Sequence, residues 1–458
     1  MDMNRISPKR LHTAPPPRRW PRRWPWLVAA PVTACLAAVS ASVVATGDTP
    51  ASASASASAS ASASASASAS ASAATATVNC APPGVKQPSC YSPQAYEVAY
   101  GVAPLLSRGI NGSGETVVLP ELAESPPSTD IRQDLATFDR KFRLPSARLQ
   151  VVNTIARSKR PYLAADEEVE DAEMVHAIAP GATLDIVLVP QDAISNSAHF
   201  VAAVTKVFQE GVVLHAAVIS VSASEGEHFV TGPEVARMHR ALEQARDHHV
   251  TVLASSGDTG AISDNGPPVQ VSLPASDPLV LAVGGTILDA RSPGGTYLGE
   301  MAWNGGTDAS GGGYSSRFSR PFYQDGVTRA REGRGVPDVA ANASSETAMA
   351  IEYSDGELRP ATGTSASTPL WAGVMALADQ AAGRHLGFVN PAIYAIARDP
   401  ADRRAFHDVV TGDNSVLGPT GIAPGYTAKP GWDPVTGWGS PNARHLVALL
   451  AHRARFGA

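Results

Sequence analysis

Two stretches of this chain carry side chains suited to chemistry: a serine ahead of an apolar helix, and a helix crowded with carboxylates. The serine lies in Thr362-Gly363-Thr364-Ser365-Ala366-Ser367-Thr368-Pro369, followed by LWAGVMALADQ. The latter run has the Ala-rich, apolar make-up of a buried helix, and proline is best tolerated in a first turn. The spacing therefore predicts a helix beginning close to Ser365, whose N-terminal N–H groups would stabilise a developing oxyanion. Taken alone, the same residues are explained as well by a plain Ser/Thr N-cap.

The second stretch is DEEVEDAEMVHAIAP, Asp166 to Pro180. So many acids on one helix usually mean a solvated face. Helical geometry separates them. At about 100° per residue, Glu167, Asp171, Met174 and Ile178 share one meridian, and the two apolar members should face the core. Glu167 and Asp171 are then expected to point inward, Asp166, Val169 and Glu173 outward, with Glu168 and Glu170 on the flanks. Two half-buried neighbouring carboxylates resist double ionisation and share a proton. Such a pair is able to accept a serine proton and return it.

A third acid, Asp258, sits in Ser255-Ser256-Gly257-Asp258-Thr259-Gly260, just after an apolar run. An aspartic protease needs two Asp-Thr-Gly motifs, and one is present. A Ser/His/Asp arrangement of the subtilisin kind needs a His-Gly element, and none of the 12 histidines is followed by glycine.

These residues must be positioned by what surrounds them. Glu115–Leu122, Ala182–Val189, Val212–Ser222, Val250–Ser255 and Leu279–Val283 read as strands. Asp166–Ile178, Ser197–Glu210 and Val235–Asp247 read as helices. This alternation predicts an α/β fold with a mostly parallel sheet and helices on both faces. Ligands of such sheets bind beyond the carboxyl ends of the strands, so acids and serines just after strands are the ones to inspect.

Composition narrows the function. The net charge is −6, and residues 1–50 hold seven basic and two acidic residues, leaving −11 for the remainder. An acidic folded block excludes nucleic acid as the expected partner. Residues 1–24 are basic and Pro-rich, and 25–46 contain an uncharged run from Trp26 to Ala45. That run suits export, as an anchor, a long cleaved signal, or a lipoprotein signal ending at Cys35. The membrane is expected to be met only through this segment. Residues 47–79 are Ala/Ser-rich and cannot build a core, so 80–458 form the expected folded domain. Cys80 and Cys90 are close in sequence and, in an exported chain, suit a disulfide.

Together the three signals resemble the sedolisin family, or serine-carboxyl peptidases, and so do the runs FHDVVTGDN, PGWDPVTGWGSPN, GGGYSSRFSRPFYQ, VPDVAANA and LPASDPLVLAVGGT. The resemblance extends from about Tyr91 to about His445. It implies a subtilisin-like three-layer fold with about seven strands, and an acid-active endopeptidase cutting protein or peptide substrates through an acyl-enzyme. By that resemblance Ser365 is the nucleophile, Glu167 the general base and acid, and Asp171 its tuning partner. Asp258 is the oxyanion-hole acid, and Glu121 in LPEL extends the network. A structural calcium ion is implied at Asp408 and Asp433, with the carbonyls of Val409, Lys429 and Gly431 completing an oxygen shell. Two departures stand out. Ala223 occupies the position where some relatives carry tryptophan, and only about forty residues separate the apolar run from the peptidase block, where a large prodomain is usual. The expectation is thus an exported monomer at or outside the cell surface, restrained by pH. The alternatives are a tripeptidyl peptidase of the same family and a non-catalytic binding protein on the same fold.

Overall fold

A computed structural model of the chain describes residues 77–80 and 89–456, apart from 124–128, 159–165, 264–265, 291–293, 329–331, 354–355 and 419–420. The basic N-terminal region, the apolar segment with Cys35 and nearly all of the Ala/Ser linker lie outside the described residues.

Eight strands form the central sheet: β1 Thr116–Leu122, β2 Arg148–Val152, β3 Thr183–Val189, β4 Val218–Val221, β5 Thr251–Ser255, β6 Leu281–Asp289, β7 Gly299–Ala302 and β8 Val339–Asn342. Seven are joined by parallel pairing in the order β2-β3-β1-β4-β5-β6-β8. β7 alone is antiparallel, along the far end of β6. β1 is therefore a switch point: the chain runs to one side through β3 and β2, and to the other through β4. A crevice opens outside the carboxyl ends of strands at such a point.

Both faces of the sheet are covered, which explains the near-continuous apolar runs. Alternate residues feed two cores. Val117, Leu119, Leu184, Ile186 and Leu188 point to one, and Val118, Val187, Val189, Ile219 and Val221 to the other. The first is shared with α1 (Ile131–Phe142), α2 (Asp166–Ile178), α5 (Gly363–Ala382) and α6 (Ala443–Phe456). The second is shared with α3 (Ser197–Val213) and α4 (Gly232–Asp247). The helical ends follow local rules. Asn196 caps α3 by accepting from the His199 N–H, and Thr231 with Glu234 forms a capping box on α4.

Three expectations are corrected. The strand expected from Val212 begins at Val218, because α3 continues to Val213 and the chain then turns through His215, whose φ is +52°. α5 begins close to Ser365 as expected, at Gly363, but Pro369 falls in its second turn and not its first. Among its described side chains α2 has no fully exposed face: Val169 and Glu173, expected outside, are both 0% exposed. The reason is position, for α2 is enclosed by α1, α5, β1 and the strand Ala350–Glu352. Its neighbours, not its own periodicity, set its burial. The side chain of Asp166 lies outside the described residues.

At the N-terminal edge, Cys80 and Cys90 form a disulfide with their Cα atoms 5.7 Å apart. It ties the short strand Thr77–Asn79 to its antiparallel partner Ser89–Tyr91. No helix among the described residues is long and apolar enough to cross a membrane.

Candidate active site

The carboxyl ends of β1, β4 and β5, adjacent in the sheet, bring together residues distant in sequence. Glu121 is the sixth residue of β1, Ser222 follows β4, and Asp258 lies three residues after β5. Glu121 has the parity of Val117 and Leu119, so it faces the layer of α2 and α5. Those two helices pack against each other and supply the rest of the site.

Ser365, the third residue of α5, is half-buried. Its Oγ lies 3.1 Å from Glu167 Oε1 and 3.0 Å from the Ser222 carbonyl oxygen. Glu167 sits in the first turn of α2, and Asp171 follows one turn later on the same side. The Ser222 hydroxyl lies 2.8 and 2.7 Å from the two carboxylate oxygens of Asp171 and 3.4 Å from the Ser365 carbonyl. Pro369 accounts for the last contact. It has no N–H to give the carbonyl four residues back, so the Ser365 carbonyl is open to the Ser222 side chain. The Ser222 carbonyl is held in turn by the Ser255 hydroxyl at 2.9 Å.

The carboxylates are crowded enough to change their ionisation. Burial pushes Asp171 well above the usual range, the nearby Glu167 charge adds to this, and the Ser222 hydrogen bond opposes it. Burial likewise raises Glu121, reinforced by the charges of Asp171, Glu168 and Glu167, and Glu121 is hydrogen-bonded to Asp171. Glu170 is raised by burial first and then by Asp171. A cluster of this kind holds protons that isolated carboxylates would release.

Asp258 approaches the start of α5 from the other side. Its Oδ1 accepts from the Thr364 N–H at 2.8 Å and the Thr364 hydroxyl at 2.7 Å. Its Oδ2 lies over Gly363, where a Cβ would come within 2.7 Å of it. Gly363 also has φ +80°, in the left-handed region. Glycine is required here on both counts. Ala223 is half-buried and packs on the core shared with α3 and α4.

Asp408 and Asp433 lie elsewhere, on two loops after α5. The Gly431 N–H donates to Asp408 Oδ2 at 2.9 Å, and the Lys429 N–H to Asp433 Oδ2 at 3.0 Å. Both carboxylates thus grip one short loop. Asp433 is fully buried, also accepts from the N–H groups of Val435 and Thr436, and its carboxyl is pushed up by burial to about 6. Among the described residues no Lys, Arg or His pairs with it.

The structure thus brings Ser365, Glu167, Asp171, Asp258 and Glu121 into one cluster and sets Asp408, Val409, Lys429, Gly431 and Asp433 apart from it. Sequence reasoning missed Ser222, Glu170, Gly363 and Thr364. Ser222 was within reach, since it is a serine immediately after a strand.

The fold agrees with what the chain is similar to. The model of the subtilase family matches residues 162–401. The chain is 33% identical over 378 residues to Kumamolisin of Bacillus sp. (strain MN-32), covering 79% of this chain and 64% of that protein. It is 37% identical over 216 residues to Tripeptidyl-peptidase 1 of Dictyostelium discoideum, covering 43% of this chain and 33% of that protein. The solved structure of Pseudomonas sedolisin, a serine-carboxyl proteinase complexed with two molecules of pseudo-iodotyrostatin, matches with a TM-score of 0.68 at 28% identity, covering 80% of this chain and 98% of that one. The chain spans less than two thirds of the length of these curated relatives.

Proposed function

This chain belongs to the subtilase family, in its sedolisin branch, and from that premise we propose that it is an acid-active endopeptidase hydrolysing proteins and peptides through an acyl-enzyme on Ser365. The observation that carries this reading is the 3.1 Å approach of Ser365 Oγ to Glu167 Oε1, with Asp171 one helical turn behind.

In the reaction proposed, Ser365 Oγ attacks the scissile carbonyl carbon while Glu167 takes its proton. The carbonyl oxygen becomes an oxyanion, received by the Ser365 N–H at the helix N-terminus and by Asp258 in its protonated form. Asp258 is held beside the helix start for that role, its Oδ1 accepting from both Thr364 donors. Glu167 then returns its proton to the leaving amine, and the C–N bond breaks. Water, deprotonated by Glu167, releases the acyl group and restores the serine. Asp171, hydrogen-bonded to Glu121, shares the second proton of the cluster and keeps Glu167 basic enough to act. Ser222 holds Asp171 in place. Because the scheme needs protons on Asp258 and within the carboxylate pair, activity falls as pH rises.

We further propose one calcium ion held by Asp408, Asp433 and the carbonyls of Val409, Lys429 and Gly431. The donor set is all oxygen, as calcium prefers, and the buried Asp433 carboxylate has no cationic partner among the described residues. When bound, the ion would clamp two loops; it takes no part in the bond-breaking steps. Export is the proposed route, supported by the Cys80–Cys90 disulfide and the basic-then-apolar N-terminus.

The test is cleavage of an N-terminally blocked, denatured protein at pH 4 and pH 7.5, by wild type and Ser365→Ala, with calcium present. Cutting at pH 4 by wild type alone is expected. The similarity to Tripeptidyl-peptidase 1 supports a second reading, in which free N-termini are trimmed. That reading predicts no cutting of the blocked substrate but release of tripeptides from an unblocked one.

A further inference from the structure

We propose that Glu170 is a further positioning residue: its carboxyl fixes the residue from which the Ser365 helix starts, and so sets the aim of the nucleophile. The inference rests on the peptidase reading for its catalytic meaning, though not for its geometry.

The first N–H groups of a helix have no acceptor within it, and buried ones left unpaired are costly. At the start of α5 three consecutive N–H groups are each taken by a different element. The Thr362 N–H donates to Glu170 Oε2 at 3.1 Å. The Gly363 N–H donates to the Ala343 carbonyl at 2.8 Å. The Thr364 N–H donates to Asp258 Oδ1 at 2.8 Å. Thr362 is the N-cap residue, yet its side chain makes no capping hydrogen bond. Its orientation therefore depends on where its own N–H goes, and that is Glu170.

Glu170 lies on α2, three residues after Glu167 and next to Asp171. α2 thus meets the start of α5 twice, through Glu167 on Ser365 and through Glu170 on Thr362. Two attachments fix both the distance and the rotation of one helix against the other, where one fixes the distance alone. Glu170 is itself buried, and its Oε1 has no accessible surface and no hydrogen-bond partner among the described residues. It is not a group that touches substrate; it acts through Thr362.

The experiment compares Glu170→Leu and Glu170→Gln with wild type, measuring kcat and KM on an internally quenched peptide at pH 4. Leucine fills the buried space without an acceptor, whereas glutamine keeps a carbonyl oxygen for the Thr362 N–H. We expect kcat to fall about tenfold or more in Glu170→Leu with KM within about twofold, and glutamine to bring kcat back to within about threefold of wild type, since small misplacement of reacting groups is costly. A Leu variant as active as wild type overturns the inference, and so does a folded Gln variant as impaired as the Leu variant. Amide hydrogen exchange in the Ser365→Ala background gives a readout independent of hydrolysis. The Thr362 N–H should lose protection with leucine and keep it with glutamine; equal protection in both overturns the proposal. An inactive wild type would sink the peptidase reading and leave that exchange comparison to judge Glu170 by itself.

Discussion

Gly363→Ala tests how tightly the start of α5 is built. Two separate costs are expected. At φ +80° a residue with a Cβ is strained by about 1–2 kcal/mol. The new methyl would also lie 2.7 Å from Asp258 Oδ2, and overpacking of this kind costs roughly 1–3 kcal/mol. Their sum is about 2–5 kcal/mol. With an unfolding entropy near 2.1 cal/mol/K per residue, a folded block of about 380 residues turns this into a Tm lower by about 3–6 °C. If Asp258 is the oxyanion donor, its displacement lowers kcat by about a hundredfold, the scale of losing one such donor. Thermal melts in the Ser365→Ala background avoid self-digestion, and peptide hydrolysis at pH 4 reports kcat. Asp258→Ala completes a double-mutant cycle. Removing the carboxylate removes the clash but not the strain, so the double variant should be more stable than additivity predicts by about 1–3 kcal/mol. Additivity within about 0.5 kcal/mol would refute the steric argument.

The buried acids give a stability profile of definite sign. Burial raises Glu121, Glu170, Asp171 and Glu173, and lifts Glu97 and Glu300 to about 7. The native state therefore binds more protons than the unfolded chain, so stability is greatest near pH 4 and falls as pH rises toward 7. A Tm that is flat or increases over that range would contradict the assignment. Ser222→Ala removes the hydrogen bond that holds the Asp171 carboxyl down, so the alkaline limb of kcat/KM should move to higher pH with KM little changed; an unmoved profile would deny Ser222 its role. Adding calcium at pH 6–7 should raise the Tm of wild type, and Asp433→Asn should abolish the increment while the protein stays folded. An equal response in both would place the ion elsewhere.

Much of the architecture was legible in the sequence because parallel strands buried on both faces are apolar throughout, and their boundaries carry Gly, Ser and Asp. Asp166–Ile178 was readable as a helix to its last residue. The i, i+4 spacing of Glu167 and Asp171 likewise survives in three dimensions because it depends on one element alone. What could not be read depends on neighbours. Glu173 is buried because the strand Ala350–Glu352 covers it, and its carboxylate accepts the Glu352 N–H at 2.7 Å. Nothing in the sequence near Glu173 announces that partner. Ser222 and Glu170 are similar cases. One acquires its place from a proline in α5, the other from an N-cap that lacks a side-chain bond. The start of α5 was placed near Ser365 by assuming first-turn proline, whereas the open Ser365 carbonyl lets Pro369 sit one turn further in.

Ser365 and Glu167 are 198 residues apart in the chain, and the other acids of the cluster come from β1, α2 and the loop after β5. Contacts of such long sequence separation form late and slowly in folding. A nascent chain therefore holds its serine and its carboxylates as unrelated side chains for most of its folding time. On the peptidase reading proposed above, the capacity to cut polypeptide emerges only once these elements have packed together, so an unfinished molecule is a poor threat to its neighbours, and hydrolytic activity would itself be a clock for the last step of folding.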